Sequence, residues 1–225
     1  MNPVRVIFFD AGGTLIHPVK PVGHVYAEVA RRFGVEADGD RLQQGFKQAW
    51  KAQKPRDPVA AARVSDDRAW WCGIVRRAWD GQEPPADFEA YFDAVYRDFA
   101  EPSLWCAFPE VEGVVERCVK LGYRCAVLSN WDRRLRTTLA GFAWSRHFED
   151  LLISAEIGFE KPHPGFFRAA EERLGIKAGE AILWGDDPVC DGEGARGAGW
   201  RSALLDRPNR DLCTLLEELT VSNRP

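Results

Sequence analysis

The first apolar run, Val4, Val6, Ile7, Phe8 and Phe9, is nearly continuous rather than alternating, the pattern of a strand covered on both faces. It delivers Asp10 at its carboxyl end, and Gly12 and Gly13 then let the backbone turn tightly and aim N–H groups into a concavity suited to an anion. Thr14 and Leu15 lead back into packed structure. From Ile16 the texture changes. Residues 17–23 are proline-rich, and the chain then takes on helical spacing: Val22, Tyr26, Val29 and Phe33 up to Gly34, then Leu42, Phe46 and Trp50. A third helix is expected over Asp66 to Trp79, with Trp70, Ile74 and Ala78 on one stripe and Trp71, Val75 and Trp79 on the next; Phe88, Phe92, Val95 and Phe99 mark a fourth. Trp50, Trp70, Trp71 and Trp79 either fill the core of this small bundle or line a substrate site.

A return linker, Glu101 to Pro109, is followed by strand and helix in alternation. Val111, Val114, Val115, Cys118 and Val119 form one helix face. Strands are expected at Arg124–Leu128, Leu151–Ser154, Ala181–Trp184 and Arg201–Leu205, and helices at Asp132–Leu139, Phe166–Leu174, Cys190–Ala198 and over Leu212 to Leu219. Repeated strand–helix units imply an α/β fold, a doubly wound parallel sheet with right-handed crossovers. The expected organisation is an α/β core from residues 1–16 and 106–225, interrupted by a helical insertion at 17–105.

With 225 residues, 45% of them hydrophobic, the chain can bury a sizeable core. A net charge of -4 without basic clustering argues against nucleic acid or an anionic membrane as partner and for a small-molecule substrate. No basic leader precedes Val4 and no apolar run approaches membrane-spanning length, so a cytoplasmic location is expected. The six cysteines form no C-x-x-C pair, and neither a zinc site nor a disulfide framework is indicated. Nothing in the sequence fixes the oligomeric state.

In a parallel sheet the strand ends share one edge, so four segments converge there: Asp10, Ser129, Lys161, and the acidic group Asp186, Asp187 and Asp191. These types suit phosphoryl transfer, which needs a nucleophile, oxygen-binding donors, a cation to offset charge and carboxylates for magnesium. Singly each has a plainer use. Ser129 with Asn130 could cap the helix expected from Asp132, and Lys161 before Pro162 could be a solvated loop lysine.

Together they resemble the haloacid dehalogenase superfamily of aspartate-nucleophile hydrolases. The resemblance rests on FFDAGGTL at Phe8 to Leu15, LSNWD at Leu128 to Asp132, EKP at Glu160 to Pro162 and WGDDPVCDGEGARGAGW at Trp184 to Trp200. It implies a Rossmann-like core and identifies the insertion with the helical cap of one branch. It further implies Asp10 as nucleophile, Ser129 as a substrate-oxygen ligand and Lys161 as the stabiliser of the charged nucleophile. Mg2+ would be held by Asp10, Asp186 and the Gly12 carbonyl with Asp191 in support, and substrate by Gly13, Thr14, Asn130, Trp70 and Trp71.

One position departs from that family's phosphatases, which carry a second aspartate, the general acid–base, where this chain has Gly12. Proton transfer by a positioned group is worth about a hundred- to ten-thousand-fold. Related dehalogenases also lack that aspartate but work without metal, so the retained acidic loop favours a magnesium-dependent phosphatase over a 2-haloacid dehalogenase. A non-catalytic binding protein is the third possibility. Gly12→Asp is expected to restore the acid–base unless Gly12 has positive φ.

Overall fold

The computed structural model describes residues 3–52 and 67–222. These fall into two compact units, one of 3–17 and 107–222 and the other of 18–52 and 67–106.

The first unit is built on strand β1 (Val6–Phe9), each of whose four side chains is buried. After it come β2 (Ile16–Pro18) and the helices α1 (Val22–Arg31), α2 (Gly39–Lys51), α3 (Asp67–Ala78) and α4 (Phe88–Asp98). The chain then continues through β3 (Trp105–Ala107), α5 (Val111–Lys120), β4 (Arg124–Ser129), α6 (Arg134–Ala140), β5 (Asp150–Ile153) and α7 (Ser154–Ile157). Next are α8 (Pro164–Leu174), β6 (Ala181–Gly185), a π-helical turn (Pro188–Glu193), α9 (Gly194–Gly197), β7 (Arg201–Leu204) and α10 (Leu212–Ser222).

The main sheet is parallel, in the order β5-β4-β1-β6-β7. This is the doubly wound arrangement the alternation of elements implies. β1 lies at the centre because its side chains are apolar on both faces, which only a sheet covered by helices on each side tolerates. The chain leaves β1 toward β4 and β5 on one side and β6 and β7 on the other, so the crevice of a topological switch lies beside the end of β1. The register levels the strand ends: Phe9 pairs with Val127 of β4 and with Trp184 of β6. Phe8, Phe166, Phe167, Leu183 and Trp200 pack below that edge, with the Phe8 and Trp200 rings 4.5 Å apart.

The second unit is helical. Tyr26, Leu42, Val75, Trp79, Tyr91 and Phe92 are among the side chains of its core, where the buried Trp79 Nε1 donates to Tyr91 Oη, 3.3 Å, and that hydroxyl to the Tyr26 carbonyl, 3.2 Å. Asp38 and Asp87 cap α2 and α4 by accepting from first-turn N–H groups.

Element bounds differ from the sequence pattern where local chemistry overrides apolar spacing. Pro164 opens α8 two residues before its first apolar position, since proline is at home in a first helical turn. Ser154 starts α7 instead of ending a strand. The helix expected over Cys190–Ala198 is a π-helical turn leading into the one-turn α9. The expected linkers also contain β2 and β3, which pair as a two-stranded sheet. Asp66, where the third helix was expected to begin, lies outside the described residues. Among the described residues no helix is long and apolar enough to cross a membrane.

Candidate active site

Asp10 leaves β1 with its N–H still in the ladder, donating to the Trp184 carbonyl, 2.9 Å. The chain then folds back at once, the Ala11 carbonyl accepting from Leu15 N, 2.8 Å, and Ile16 N, 3.0 Å. Gly13 has φ of 76°, and a Cβ there would lie 2.4 Å from Asp186 Oδ2, so both the backbone conformation and the approach of the carboxylate exclude any side chain. Gly13 and Thr14, expected to bind substrate, are engaged within the protein. The Gly13 N–H is used by the Ile16 carbonyl, 2.9 Å, and the buried Thr14 hydroxyl points to Asp186 Oδ1, 3.4 Å.

Lys161 is buried, and its Nζ donates to Asp10 Oδ1 at 2.8 Å and to Asp191 Oδ1 at 2.6 Å. Its main chain is held by one side chain: Asn130 Nδ2 donates to the Lys161 carbonyl and Asn130 Oδ1 accepts from the Lys161 N–H, each at 2.7 Å. Asn130, expected to bind substrate, grips the lysine's peptide. Neither Ser129 nor Asn130 caps α6; Asp132 Oδ1 accepts the Arg134 N–H there, 3.0 Å.

The acidic loop divides its labour. Asp187 accepts from the N–H groups of Val189 and Cys190 at 2.8 and 2.7 Å and so starts the π-helical turn. Its own N–H donates to Asp191 Oδ2, 3.0 Å, which turns the buried Asp191 back toward the end of β6. A Cβ on Gly185 would fall 2.1 Å from that same oxygen, so the close approach requires glycine. Asp10, Asp186 and Asp191 each present an oxygen within 4.8 Å of the others. Ser129 ends β4 at the same edge, buried and paired with Ile153.

Trp131, Arg207 and Ser154 carry weight that apolar spacing did not reveal. A Cβ placed on Gly12 would meet Trp131 Cζ3 at 3.2 Å, and Gly12 does not have positive φ. What opposes a side chain at residue 12 is therefore an indole, not the backbone. The Trp131 peptide is fixed by Ser154, whose hydroxyl donates to its carbonyl, 3.0 Å, and accepts from its N–H, 3.1 Å. Arg207 holds the Asp10 loop: Nη2 donates to the Thr14 carbonyl at 3.0 Å, Nη1 pairs with Glu110, and the guanidinium stacks 3.7 Å from the Phe108 ring. The signal for Trp131 was its place next to Ser129 and Asn130 in the second motif. For Arg207, in a polar loop, there was none.

Trp70 and Trp71 belong to the helical unit, where they cluster with the half-exposed Trp50; the Trp50 ring lies 5.7 Å from Trp70 and 5.8 Å from Trp71. Trp79 is buried in that unit's core and lines no surface.

Three carboxylates surround one ammonium, an excess of two negative charges if all are ionised. Desolvation alone would lower Lys161, but the Asp10 and Asp191 charges outweigh it and hold the lysine well above its ordinary value, fully protonated. Burial raises Asp191 against the opposing pull of Lys161. Desolvation, and then the Asp191 charge, raise Asp186. A site of hard oxygen donors short of positive charge fits a magnesium ion.

Ionised Asp186 is disfavoured in the folded metal-free protein, so the cost is present at pH above its raised folded value and disappears on protonation below the unfolded value. Asp186→Asn should therefore raise the thermal midpoint in EDTA near neutral pH by a few degrees and abolish the further rise on adding magnesium. A lower midpoint in EDTA would contradict the charge imbalance.

Comparison with known proteins agrees with this architecture. The sequence pattern of haloacid dehalogenase-like hydrolases matches residues 4–199. Human haloacid dehalogenase-like hydrolase domain-containing protein 3 is 32% identical over 208 residues, 91% of this chain and 83% of that protein. Its mouse counterpart is 33% identical over 205 residues, 90% and 82%. Among solved structures, an L-2-haloacid dehalogenase from Xanthobacter autotrophicus superposes with TM-score 0.69 at 20% identity, covering 99% of this chain and 85% of that one. A phosphatase of the superfamily from Thermococcus onnurineus gives 0.67 at 19%, covering 96% and 98%. On its sequence and its fold, this chain belongs to the haloacid dehalogenase-like hydrolases.

Proposed function

We propose that this hydrolase is a magnesium-dependent phosphatase of small phosphorylated molecules with Asp10 as its nucleophile. The observation that carries the reading is the buried Lys161 ammonium bonded to both Asp10 and Asp191, beside a third carboxylate, Asp186. Asp10, Asp186 and, less directly, Asp191 would hold the ion, which when bound offsets charge on the phosphoryl oxygens.

The chain's own residues do the rest. Lys161 occupies Asp10 Oδ1, leaving Oδ2 to attack phosphorus. The Oδ2–P bond forms as the bond from phosphorus to the leaving oxygen breaks, and the buried ammonium offsets the negative charge gathered at the site. Water then attacks phosphorus and the Oδ2–P bond breaks, giving inorganic phosphate and regenerating the carboxylate. With Gly12 lacking an acid–base group, leaving groups that depart as stable anions react best. The acidic loop favours this over halide displacement, which has no need of it.

A panel of acyl, aryl and alkyl phosphates with magnesium or EDTA, scored beside halide release from 2-haloacids, tests the reading. Magnesium-dependent phosphate release is expected, acyl and aryl esters exceeding alkyl esters by about a hundredfold or more, with Asp10→Asn inactive. Metal-independent halide release would reject it in favour of dehalogenation, and no activity of either kind would favour a binding protein.

In this reading the helical unit inserted after the Asp10 loop is a cap that excludes water and selects substrate, with the Trp50, Trp70 and Trp71 cluster as its aromatic surface. Hydrogen exchange should slow at Trp50, Trp70 and Trp71 when magnesium and a phosphonate substrate analogue are added together. Unchanged exchange there would remove the cap's role.

A further inference from the structure

The proposed mechanism leaves unused a large side chain set against the Asp10 loop, Trp131. Among the described residues, and apart from the glycine's chain neighbours, the atoms within 4 Å of a Cβ on Gly12 are Trp131 Cζ3, at 3.2 Å, and Cη2, at 3.9 Å. Cζ3 lies on the six-membered ring of the indole, so the wall at this position is apolar and aromatic. This placement is fixed at the main chain, because the buried Ser154 hydroxyl bonds both the N–H and the carbonyl of Trp131, and Ala155 N donates to that carbonyl too, 3.2 Å.

Two consequences follow from a contact of 3.2 Å. A side chain at residue 12 requires the indole to give by a few tenths of an ångström, so substitutions at Gly12 and Trp131 are coupled. The volume an acid–base group would fill is bounded by an apolar wall, which strips water from a leaving group but gives it no proton. A leaving group suited to both conditions is flat, has apolar surface, and carries its charge delocalised, so that it departs without a proton.

We propose that Trp131 is the specificity-determining residue of this site and selects aryl phosphates, whose phenolate leaving groups pack against the indole and depart unprotonated. The proposal rests on the phosphatase reading and deepens it.

The experiment compares wild type, Trp131→Phe, Trp131→Ala, Gly12→Asp and the double variant Gly12→Asp/Trp131→Ala on phenyl and methyl phosphate, each protein first verified as folded by circular dichroism and by its thermal shift with magnesium. Trp131→Ala should lower the phenyl-to-methyl ratio of kcat/KM by about three- to tenfold, the range expected of an aromatic contact, while Trp131→Phe retains most of it. Methyl phosphate turnover should rise by about a hundredfold or more in the double variant and far less in Gly12→Asp alone. An unchanged ratio in Trp131→Ala, or a single Gly12→Asp variant as active as the double, would overturn the assignment. Should wild type hydrolyse neither ester, the phosphatase reading fails, and binding decides the role of Trp131 by itself. Preference for phenylphosphonate over methylphosphonate that is lost in Trp131→Ala supports it, and equal preference in both proteins overturns it.

Discussion

The buried ammonium of Lys161 is the interaction on which the rest of this site depends. Without it, Asp10 and Asp191 would be two carboxylates removed from water within reach of each other, a situation that ordinarily ends in protonation of one of them. Breaking a buried ion pair by removing one partner typically costs about 3–5 kcal/mol. Here the cost would fall where chemistry requires an ionised oxygen. The lysine joins the two carboxylates and is itself kept charged by them.

Much of the surrounding structure serves to place that nitrogen. Asn130 closes two hydrogen bonds on the Lys161 peptide, joining the end of β4 to the lysine loop. Gly185 has no side chain because Asp191 must come against the β6 backbone, and Asp187 spends its N–H and a carboxylate oxygen on turning Asp191 inward. Gly13 likewise lets the Asp10 loop lie against Asp186, while Arg207 secures the Thr14 carbonyl. The glycines and acids of these motifs are thus less a set of separate ligands than a packing solution for charges at close quarters.

The sequence made some of this legible and hid the rest for identifiable reasons. The sheet could be read because Val6 to Phe9 and Ala181 to Trp184 are apolar without alternation, and because each strand ends in residues a packed strand cannot use. Asp10, Lys161, Asp186 and Asp191 could be brought together from strand-end placement alone. The resemblance implied Asn130, Thr14 and Gly13 as substrate ligands; that they also bond the protein's own backbone and carboxylates is something spacing cannot reveal. Trp131 stood in the second motif, but only the folded structure places its ring beside Gly12. Arg207 sits in a polar loop and acts through a carbonyl, which no residue pattern encodes.

The central claim is that the Asp10 carboxylate, bonded to Lys161, becomes covalently phosphorylated. Borohydride reduction of the protein during magnesium-supported turnover of an aryl phosphate, followed by peptide mass spectrometry, tests this directly, because an acyl phosphate on aspartate is reduced to homoserine. The account predicts homoserine at residue 10 and at no other carboxylate. Turnover with an unmodified residue 10, or reduction at Asp186 or Asp191 instead, would contradict it.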